Sequence, residues 1–307
     1  MGKFLFNNDK NIYKANLHCH TIVSDGTHTP KQIKEMYKAN GYNVVAFTDH
    51  NILKSQSHLD DDSFLALNSC EVDLVNDTDA AVPHKKRSLY HFNLYARDQK
   101  PRQTPPPMQM DYHNQDAINE YIEARVNEGY LVCYNHPNWS MQTFEEYSKL
   151  KGLFAMEIYN HGCEVTDGYY GYNPQVYDEM LRATGKLFCI SADDNHNREV
   201  DDSFGGFVMI SATELTYDGI IDALVAGDFY ATQGPEIHEI SVHDGKLRIK
   251  CSESELIVVY TDSRQCHIKK ENKMTEVEFT LYGDEKYVRV MCRDTQNKDA
   301  NSNAYWL

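Results

Sequence analysis

The stretch Asn16-Leu17-His18-Cys19-His20-Thr21-Ile22-Val23-Ser24-Asp25-Gly26 places two histidines two residues apart and an acidic residue five positions further on. Side chains alternate between the two sides of an extended segment, so His18 and His20 point the same way and can face one metal ion. Ser24-Asp25-Gly26 is typical of a turn, which can bring Asp25 back toward the two imidazoles. A His-x-His pair also occurs on the surface of ordinary strands, so the interpretation as a metal site depends on the rest of the chain.

Composition and charge exclude several classes of function. The chain has 307 residues, 41% of them hydrophobic, which is enough for a large α/β domain and a smaller second one. The formal net charge of -16 argues against a nucleic acid partner, whereas a small phosphate held by metal ions is compatible with it. We find no signal peptide and no segment of transmembrane length, so no membrane partner is expected. The eight cysteines form no Cys-x-x-Cys pair, which indicates a reduced, cytoplasmic protein.

Apolar runs alternate with helical patterns through most of the chain. A strand over 12–18 precedes Thr29-Pro30-Lys31-Gln32, which predicts a helix start with a capping box, and Gly41 predicts the end of that helix. The run over 43–50 predicts a buried strand, and such a strand–helix–strand unit favours parallel pairing. Further strands are predicted over 64–71, 88–95, 130–137, 154–160, 187–191 and 204–210, further helices over 115–128, 143–151, 175–184 and 216–226, and long loops over 96–114 and 161–173.

The pattern changes at Gly234-Pro235. Beyond this pair the chain has short alternating runs separated by turns and no segment with a helical period, which is typical of antiparallel strands. We therefore predict a first domain over 1–233 and a small β-rich domain of unassigned role over 234–307. The predicted strands of the second domain are 236–241, 246–251, 255–262, 275–282 and 286–293.

Histidines and acidic residues lie at or near the ends of the predicted strands. In barrels of parallel strands the functional residues gather at the carboxyl ends of the strands, so these side chains would meet at one mouth. Imidazoles and carboxylates without thiolates suit Zn²⁺, Mn²⁺ or Fe²⁺. The number of candidates implies two or three divalent ions, with a bridging carboxylate. The candidates are His18, His50, Glu71, His91, His136, Asp194 and His196.

Four motifs occur in order: His18-Cys19-His20 with Ser24-Asp25-Gly26, Thr48-Asp49-His50, Asn135-His136-Pro137, and Asp194-Asn195-His196. As an ordered set they resemble the polymerase and histidinol phosphatase (PHP) family over residues 12–233. The resemblance implies an α/β fold, a distorted (β/α)7 TIM-like barrel with a metal cluster at its mouth. It also implies a metal-dependent phosphoesterase that hydrolyses a small phosphorylated metabolite through a metal-bridging hydroxide.

The resemblance also assigns roles to single residues. Many family members have histidine where this chain has Asp25, for which a turn residue bonded to its own backbone is the alternative. The family pattern Asp-x-His selects Asp194 over Asp193, which we expect to support the ligands, and Asp49 is expected to orient a ligand histidine. The implied ligands are His18, His20, Glu71 and Asp194 for a first ion, Glu71 with His91 and His136 for a second, and Asp25, His50 and His196 for a third.

Two residues are candidates for substrate contacts. Arg198 follows the last motif and could grip a phosphate with its planar guanidinium, or it could be a solvated loop arginine. His161, in the predicted loop 161–173, could contact substrate or be an ordinary loop histidine. We expect specificity to depend on the loops 96–114 and 161–173 and on residues 235–307.

Two other functions are compatible with the same residues. Metal-dependent hydrolysis of a non-phosphate ester, amide or glycosidic bond would use the same ligands on a barrel. A non-catalytic reading makes the β-rich tail a binding module with the barrel as its scaffold. The complete set of candidate ligands argues against the second alternative.

Overall fold

One large mixed sheet with a few helices packed against it forms the frame of the molecule. The computed structural model describes residues 3–78, 81–100 and 102–307. Within these residues the strands are β1 Lys3–Asn7, β2 Asn11–Asn16, β3 Val44–Phe47, β4 Leu65–Val75, β5 Leu89–Ala96, β6 Tyr130–Tyr134, β7 Ala155–Asn160, β8 Phe188–Ala192, β9 Phe207–Ala212, β10 Phe229–Thr232, β11 Ile237–His243, β12 Lys246–Thr261, β13 His267–Thr280, β14 Tyr287–Arg293, β15 Asp299–Ser302 and β16 Tyr305–Trp306. The α-helices are α1 Pro30–Ala39, α2 Gln115–Asn127, α3 Phe144–Tyr147, α4 His161–Val165, α5 Pro174–Thr184 and α6 Tyr217–Ala226.

Helix α1 begins and ends where its sequence signals predict. The Thr29 hydroxyl accepts a hydrogen bond from the Gln32 backbone N–H, and the Gln32 side chain accepts one from the Thr29 backbone N–H. These two bonds satisfy donors that a helix start otherwise leaves free. Gly41 follows the helix with a positive φ of 78°, which suits glycine. Strands β2 and β3 on either side of the helix pair in parallel, as predicted.

The directions of the strands differ from the predicted parallel arrangement in two places, at β5 and at β9, which runs antiparallel to β2. Strands β2, β3 and β4 are parallel, and so are β6, β7 and β8. Strand β5, however, runs antiparallel to both β4 and β6. The carboxyl end of β4 therefore lies beside the amino end of β5. His91, expected near the end of its strand, is the third residue of β5 and still reaches the same edge of the sheet.

Backbone hydrogen bonds connect the segments that follow β2 and β8. The Asp194 N–H donates to the His18 carbonyl at 2.9 Å, and the His20 N–H donates to the Asn195 carbonyl at 3.0 Å. The Thr48 N–H donates to the Cys19 carbonyl at 2.8 Å on the other side of the same segment. The residues that follow β2, β3 and β8 are therefore held together at one edge of the sheet.

Residues 234–307, all of which the structure describes, form antiparallel strands without a helix, as predicted. The predicted strands 246–251 and 255–262 are one long strand, β12, whose pairing with β13 is irregular around Ser254. Strand β1 pairs with β11, and β15 pairs with both β10 and β14. The C-terminal strands therefore belong to the same hydrogen-bonded sheet as strands from the first 233 residues. The boundary at residue 234 stays a prediction. None of the described helices has both the length and the apolar composition of a membrane-spanning helix.

A buried ion pair joins β14 to helix α5. The guanidinium of Arg289 is fully buried and donates to both carboxylate oxygens of Asp178, at 2.6 and 2.7 Å. The ring of Tyr260 covers the guanidinium at 3.9 Å. Such a bidentate pair has a defined geometry, so it fixes the C-terminal strands against α5.

Substitution of Asp178 should reveal the strength of this link. Asp178→Ala leaves the buried guanidinium without a counter-charge, and we expect the free energy of unfolding to fall by about 3–5 kcal/mol. Urea denaturation monitored by circular dichroism measures this. The control is Glu276→Ala, which removes the exposed partner of Arg248 and should cost less than about 1 kcal/mol. Equal effects of the two substitutions would contradict the structural role of the pair.

Candidate metal centre

All nine side chains that the resemblance selects as metal ligands lie in one cluster at the edge of the sheet described above. Strands β2, β3, β6 and β8 each end just before ligand candidates, and β4 and β5 carry one each. The antiparallel direction of β5 matters here, because it places an early residue of that strand beside the late residues of its neighbours. The cluster comprises His18, His20, Asp25, His50, Glu71, His91, His136, Asp194 and His196.

The innermost group is formed by His18, His20 and Asp194. His18 Nε2 lies 3.0 Å from His20 Nε2 and 3.1 Å from Asp194 Oδ1. His20 Nε2 is also 3.1 Å from Asp194 Oδ1. Neutral imidazole nitrogens and carboxylate oxygens offer lone pairs, so their convergence requires a positive charge between them, either protons or a metal ion.

Glu71 lies at the centre of the cluster. Its Oε1 is 2.9 Å from His91 Nδ1 and 3.4 Å from His136 Nε2, and its Oε2 is 3.0 Å from His50 Nδ1. Although Oε2 is buried, it forms no well-aligned hydrogen bond, and the same is true of His20 Nδ1. Such atoms are rare in folded proteins unless something binds them, and a divalent cation fits both.

A third, outer group surrounds Asp25. Asp25 Oδ2 is 3.3 Å from His196 Nε2, and Asp25 Oδ1 is 3.8 Å from His50 Nε2 and 3.7 Å from His20 Nδ1. Asp25 thus takes part in the cluster rather than only in its own turn. The side chain of Asp25 is about 40% exposed, so this group lies toward the solvent.

The spatial groups overlap more than the predicted ligand sets. Ligand atoms lie within 4.8 Å of one another in each of three groups: His18, His20 and Asp194; His50, Glu71 and His91; and His20, Asp25, His50 and His196. His20 and His50 each belong to two groups because both ring nitrogens face neighbours. His136 belongs to none of the three, although it lies close to Glu71. The donor set suits two or three divalent ions, and the assignment of each residue to one ion stays a prediction.

Two of the clustered residues have an unusual backbone. His136 and Asp194 have positive φ angles of 26° and 53°. Residues other than glycine rarely adopt this region, and such strain is concentrated at functional sites. The turn at His136 aims its ring back at Glu71, and the turn at Asp194 allows its carboxylate to reach both His18 and His20.

Glu157 is a buried acidic residue that none of the sequence motifs indicates. Its Oε1 lies 2.6 Å from His18 Nδ1, and its Oε2 accepts hydrogen bonds from the His136 N–H at 3.0 Å and from the Asn160 amide at 2.9 Å. A carboxylate on Nδ1 fixes the ring and directs Nε2 toward the cluster, as carboxylates commonly do for ligand histidines. Its position inside the apolar run 155–160 was the one sequence feature that could have indicated a buried acidic group.

Asp49 and Asp193 support the site differently from expectation. Asp49 accepts hydrogen bonds from the backbone and hydroxyl groups of Thr21 and Ser24, and it bonds to no histidine in the part of the chain that the structure describes. It therefore shapes the turn between His20 and Asp25, and the prediction that it orients a ligand histidine is wrong. Asp193 accepts from the backbone N–H groups of residues 204–206 and from the Tyr37 hydroxyl, so it anchors the loop after the last motif.

The electrostatics of the cluster favour cation binding. Burial acts to raise the pKa values of Glu71 and Asp194, but the neighbouring histidines lower both well below the usual range. Burial acts to lower the pKa of His18, but Asp194 and Glu71 raise it well above the usual value. The carboxyls are therefore ionised at neutral pH, and the cluster attracts positive charge.

The histidines divide into two kinds. Burial lowers the pKa of His20 to about 3, so its imidazole is neutral and keeps a lone pair for a metal. For His196 burial acts in the same direction, but its hydrogen bond with Asp25 outweighs it and raises the pKa to about 9. A cation that binds at the outer group therefore has to displace a proton from His196 at neutral pH.

A cavity of about 890 Å³ opens over the cluster. Its size falls in the range of small-molecule sites. One wall is Trp139, whose ring lies 4.9 Å from that of His136 and whose indole N–H donates to Asp167. Residues of the predicted loop 161–173 contribute to the lining, whereas none of the described residues of the loop 96–114 does. Beside the cluster, the lining includes Trp139, Cys163, Thr166, Asp167, Arg198 and Glu199.

The two predicted substrate residues have different positions. Arg198 lines the cavity, where its Nη2 lies 2.7 Å from Asp25 Oδ2. His161 lies outside the cavity lining: its Nδ1 is 2.9 Å from the Tyr159 hydroxyl, and its ring packs against Gly205. The geometry therefore gives no support to His161 as a substrate contact.

Comparison with solved structures gives the fold class. The chain is similar to a crystal structure from Bacteroides vulgatus, described as a two-domain protein containing a predicted PHP-like metal-dependent phosphoesterase, with a TM-score of 0.50, 16% identity, and coverage of 99% of this chain and 98% of the other. At this identity the similarity shows the fold, and the resemblance predicted from the motifs is confirmed at that level.

Two more distant similarities were also found. One is a putative metal-dependent phosphoesterase from Bifidobacterium adolescentis, with a TM-score of 0.40, 16% identity, and coverage of 61% of this chain and 90% of the other. The other is an amidohydrolase from Chromobacterium violaceum with bound sulfate and no metal, with a TM-score of 0.37, 12% identity, and coverage of 59% and 87%. No protein-family model matches the chain, and no curated protein sequence matches it.

The role of Glu157 can be tested by metal binding. Glu157→Ala removes the partner of His18 Nδ1, so the ring loses its orientation, and we expect divalent-ion affinity to fall roughly 10- to 100-fold. Titration of metal-stripped protein with Mn²⁺ or Zn²⁺ measures this. Glu164→Ala is the control, because Glu164 bonds to the Gly171 N–H and is not part of the cluster. Unchanged affinity in Glu157→Ala would show that His18 needs no such support.

The pKa of His196 predicts a pH dependence of stability in metal-stripped protein. The folded-state pKa of about 9 lies above the unfolded value of about 6.5. The contribution to stability is therefore fully present below pH 6.5 and is lost as the pH rises through 9. Wild type should exceed His196→Gln in unfolding free energy by up to about 3 kcal/mol at pH 6, and by much less at pH 9.5. Urea denaturation at both values tests this, and a difference that does not change with pH would contradict it.

Proposed function

We propose that the protein is a metal-dependent phosphoesterase that hydrolyses a small phosphorylated metabolite. The observation that carries this proposal is the convergence of buried imidazole and carboxylate lone pairs at the floor of a cavity of about 890 Å³. Such a donor set calls for cations, and cations at the floor of an open cavity attract phosphate. The described fold, similar to that of a protein named as containing a predicted PHP-like phosphoesterase, supports the same reaction class.

The nine clustered residues would hold two or three divalent ions, with zinc, manganese and iron as the candidates. Glu71 would bridge two of the sites, because its oxygens face His91 and His136 on one side and His50 on the other. When bound, these ions supply Lewis acidity, which polarises the phosphoryl oxygens and activates water for in-line attack.

The chain's own groups would bind and orient the substrate. Arg198 has a guanidinium that can pair with phosphoryl oxygens and neutralise charge in the transition state. Trp139 offers an apolar wall for the leaving group. Cys163 is not a nucleophile in this scheme, since burial raises its thiol pKa well above the usual value and keeps it protonated.

We also propose the finer architecture. Strands β2 to β8 would form a distorted seven-stranded barrel, supported by the hydrogen bonds between the segments that follow β2 and β8. Residues 234–307 would be the small second domain. The eight cysteines are all free thiols and seven are buried, which supports a reducing, cytoplasmic location. The net charge of -16 supports a small substrate over nucleic acid.

A hydrolysis panel tests the reaction class. Metal-stripped protein, reloaded separately with Zn²⁺, Mn²⁺ or Fe²⁺, would be assayed on small phosphate monoesters and, in parallel, on carboxylic esters, amides and glycosides. We expect release of phosphate only with metal added. Turnover confined to the non-phosphorylated substrates would replace this proposal with the alternative hydrolase.

Single substitutions locate that activity in the cluster. His50→Ala and Asp194→Ala each remove a ligand candidate, so phosphate release should fall by at least about 10³-fold while the circular dichroism spectrum is retained. His58→Ala is the matched control, because His58 is an exposed histidine outside the cluster. Wild-type phosphate release in Asp194→Ala would refute the assignment.

A further inference from the structure

Arg198 is the only lysine or arginine among the described residues that line the cavity. Its guanidinium holds Asp25 at two points. Nη2 donates to the carboxylate Oδ2 at 2.7 Å and to the backbone carbonyl at 3.0 Å, and Nε donates to the same carbonyl at 3.3 Å. The guanidinium of Arg198 is thus paired with Asp25 and does not extend into the open cavity.

Asp25 is also the carboxylate of the outer group, where a third ion would bind. Its Oδ2 faces both Arg198 and His196, and its Oδ1 faces His50. A guanidinium on Asp25 Oδ2 supplies the positive charge that this group needs, and it would repel a divalent ion a few ångströms away. Arginine and a third ion are therefore competitors for Asp25.

The interaction of Arg198 with Asp25 is weak enough for an anion bound in the cavity to displace the guanidinium from Asp25. The side chains of Arg198 and Asp25 are 53% and 40% exposed, and ion pairs of such exposure are weak because water screens them. A tetrahedral dianion in the cavity offers Arg198 a stronger, bidentate partner. Once the guanidinium has turned to the anion, Asp25 is released to a cation.

We propose, on the basis of the proposed function, that Arg198 stands in for the third ion on Asp25 and that a phosphate-like anion in the cavity draws Arg198 away, so that the anion and the third ion bind cooperatively. Without the anion the protein holds two ions tightly and the third weakly. Because such coupling is reciprocal, the third ion also tightens anion binding. Arg198 is in this sense a positioning residue that links substrate binding to completion of the metal centre.

Equilibrium dialysis against Mn²⁺ with elemental analysis tests this without any assay of activity. Sulfate serves as the tetrahedral anion, and chloride of equal ionic strength is the reference. In wild type, sulfate should tighten the third Mn²⁺ site roughly 5- to 150-fold, the usual range of such coupling. In Arg198→Gln the third site should already be tighter than in wild type in chloride, and the effect of sulfate should be reduced to its direct contact with the metal.

The matched control is Arg182→Gln, which removes the same charge from an exposed arginine of helix α5 and should behave as wild type. A third site in Arg198→Gln that is unchanged or weaker in chloride overturns the inference while leaving the proposed function intact, because two tight ions would still be seen. Equal sulfate effects in wild type and Arg198→Gln also overturn it. Fewer than two bound Mn²⁺ in wild type under both conditions overturns the inference and the proposed function together.

Discussion

The structure depends on an electrostatic repulsion between buried acceptor groups, which the chain's own side chains do not fully neutralise. Buried carboxylates and imidazoles from distant segments converge so that lone pairs face lone pairs, with nitrogen and oxygen atoms of His18, His20 and Asp194 about 3 Å apart. Protons can relieve this repulsion, as the raised pKa of His18 indicates. Divalent cations relieve it more completely. The surrounding fold has to hold these side chains in place against their mutual repulsion, and the backbone hydrogen bonds between the segments that follow β2 and β8 do so.

The clustering of the candidate ligands was predictable from the sequence because their chemistry restricts residue type and their motifs restrict order. His18, His50, His136 and Asp194 each follow an apolar run, and the structure places all of them in one cluster. Glu157 was missed because an acid within an apolar run has no motif of its own. It became visible as a supporting residue only when its distance to His18 was known. The role of Asp49 was wrong for a related reason: its bonds to Thr21 and Ser24 depend on the folded path of the turn.

The element boundaries were largely predictable, whereas the direction of β5 was not. Capping signals at Thr29 and the apolar runs identified most helices and strands, since these features are local. Pairing direction depends on the connection between two strands. Parallel neighbours need a long crossover, usually a helix, and the connection from β4 to β5 has no long helix among the residues that the structure describes. A connection without a long helix favours an antiparallel pair of strands. The regular alternation of strands and helices in the rest of the chain made a parallel arrangement the expected one here as well. Strand β12 was likewise predicted as two strands, and its pairing with β13 shifts near Ser254, between the two predicted segments.

The charges of the side chains that line the cavity affect the order in which metal ions and a phosphate substrate can bind. Asp25, Glu71, Asp167, Asp194 and Glu199 all line it, and Arg198, already paired with Asp25, is the one arginine among the described lining residues. A phosphate dianion entering this cavity without metal would meet repulsion from the acids, and one exposed guanidinium is too weak a counterweight. The same acids hold cations well. If the proposed function is correct, the first two ions have to bind before the substrate, and the acidic lining then serves two purposes: it concentrates the cations, and it rejects anions until those two ions are in place.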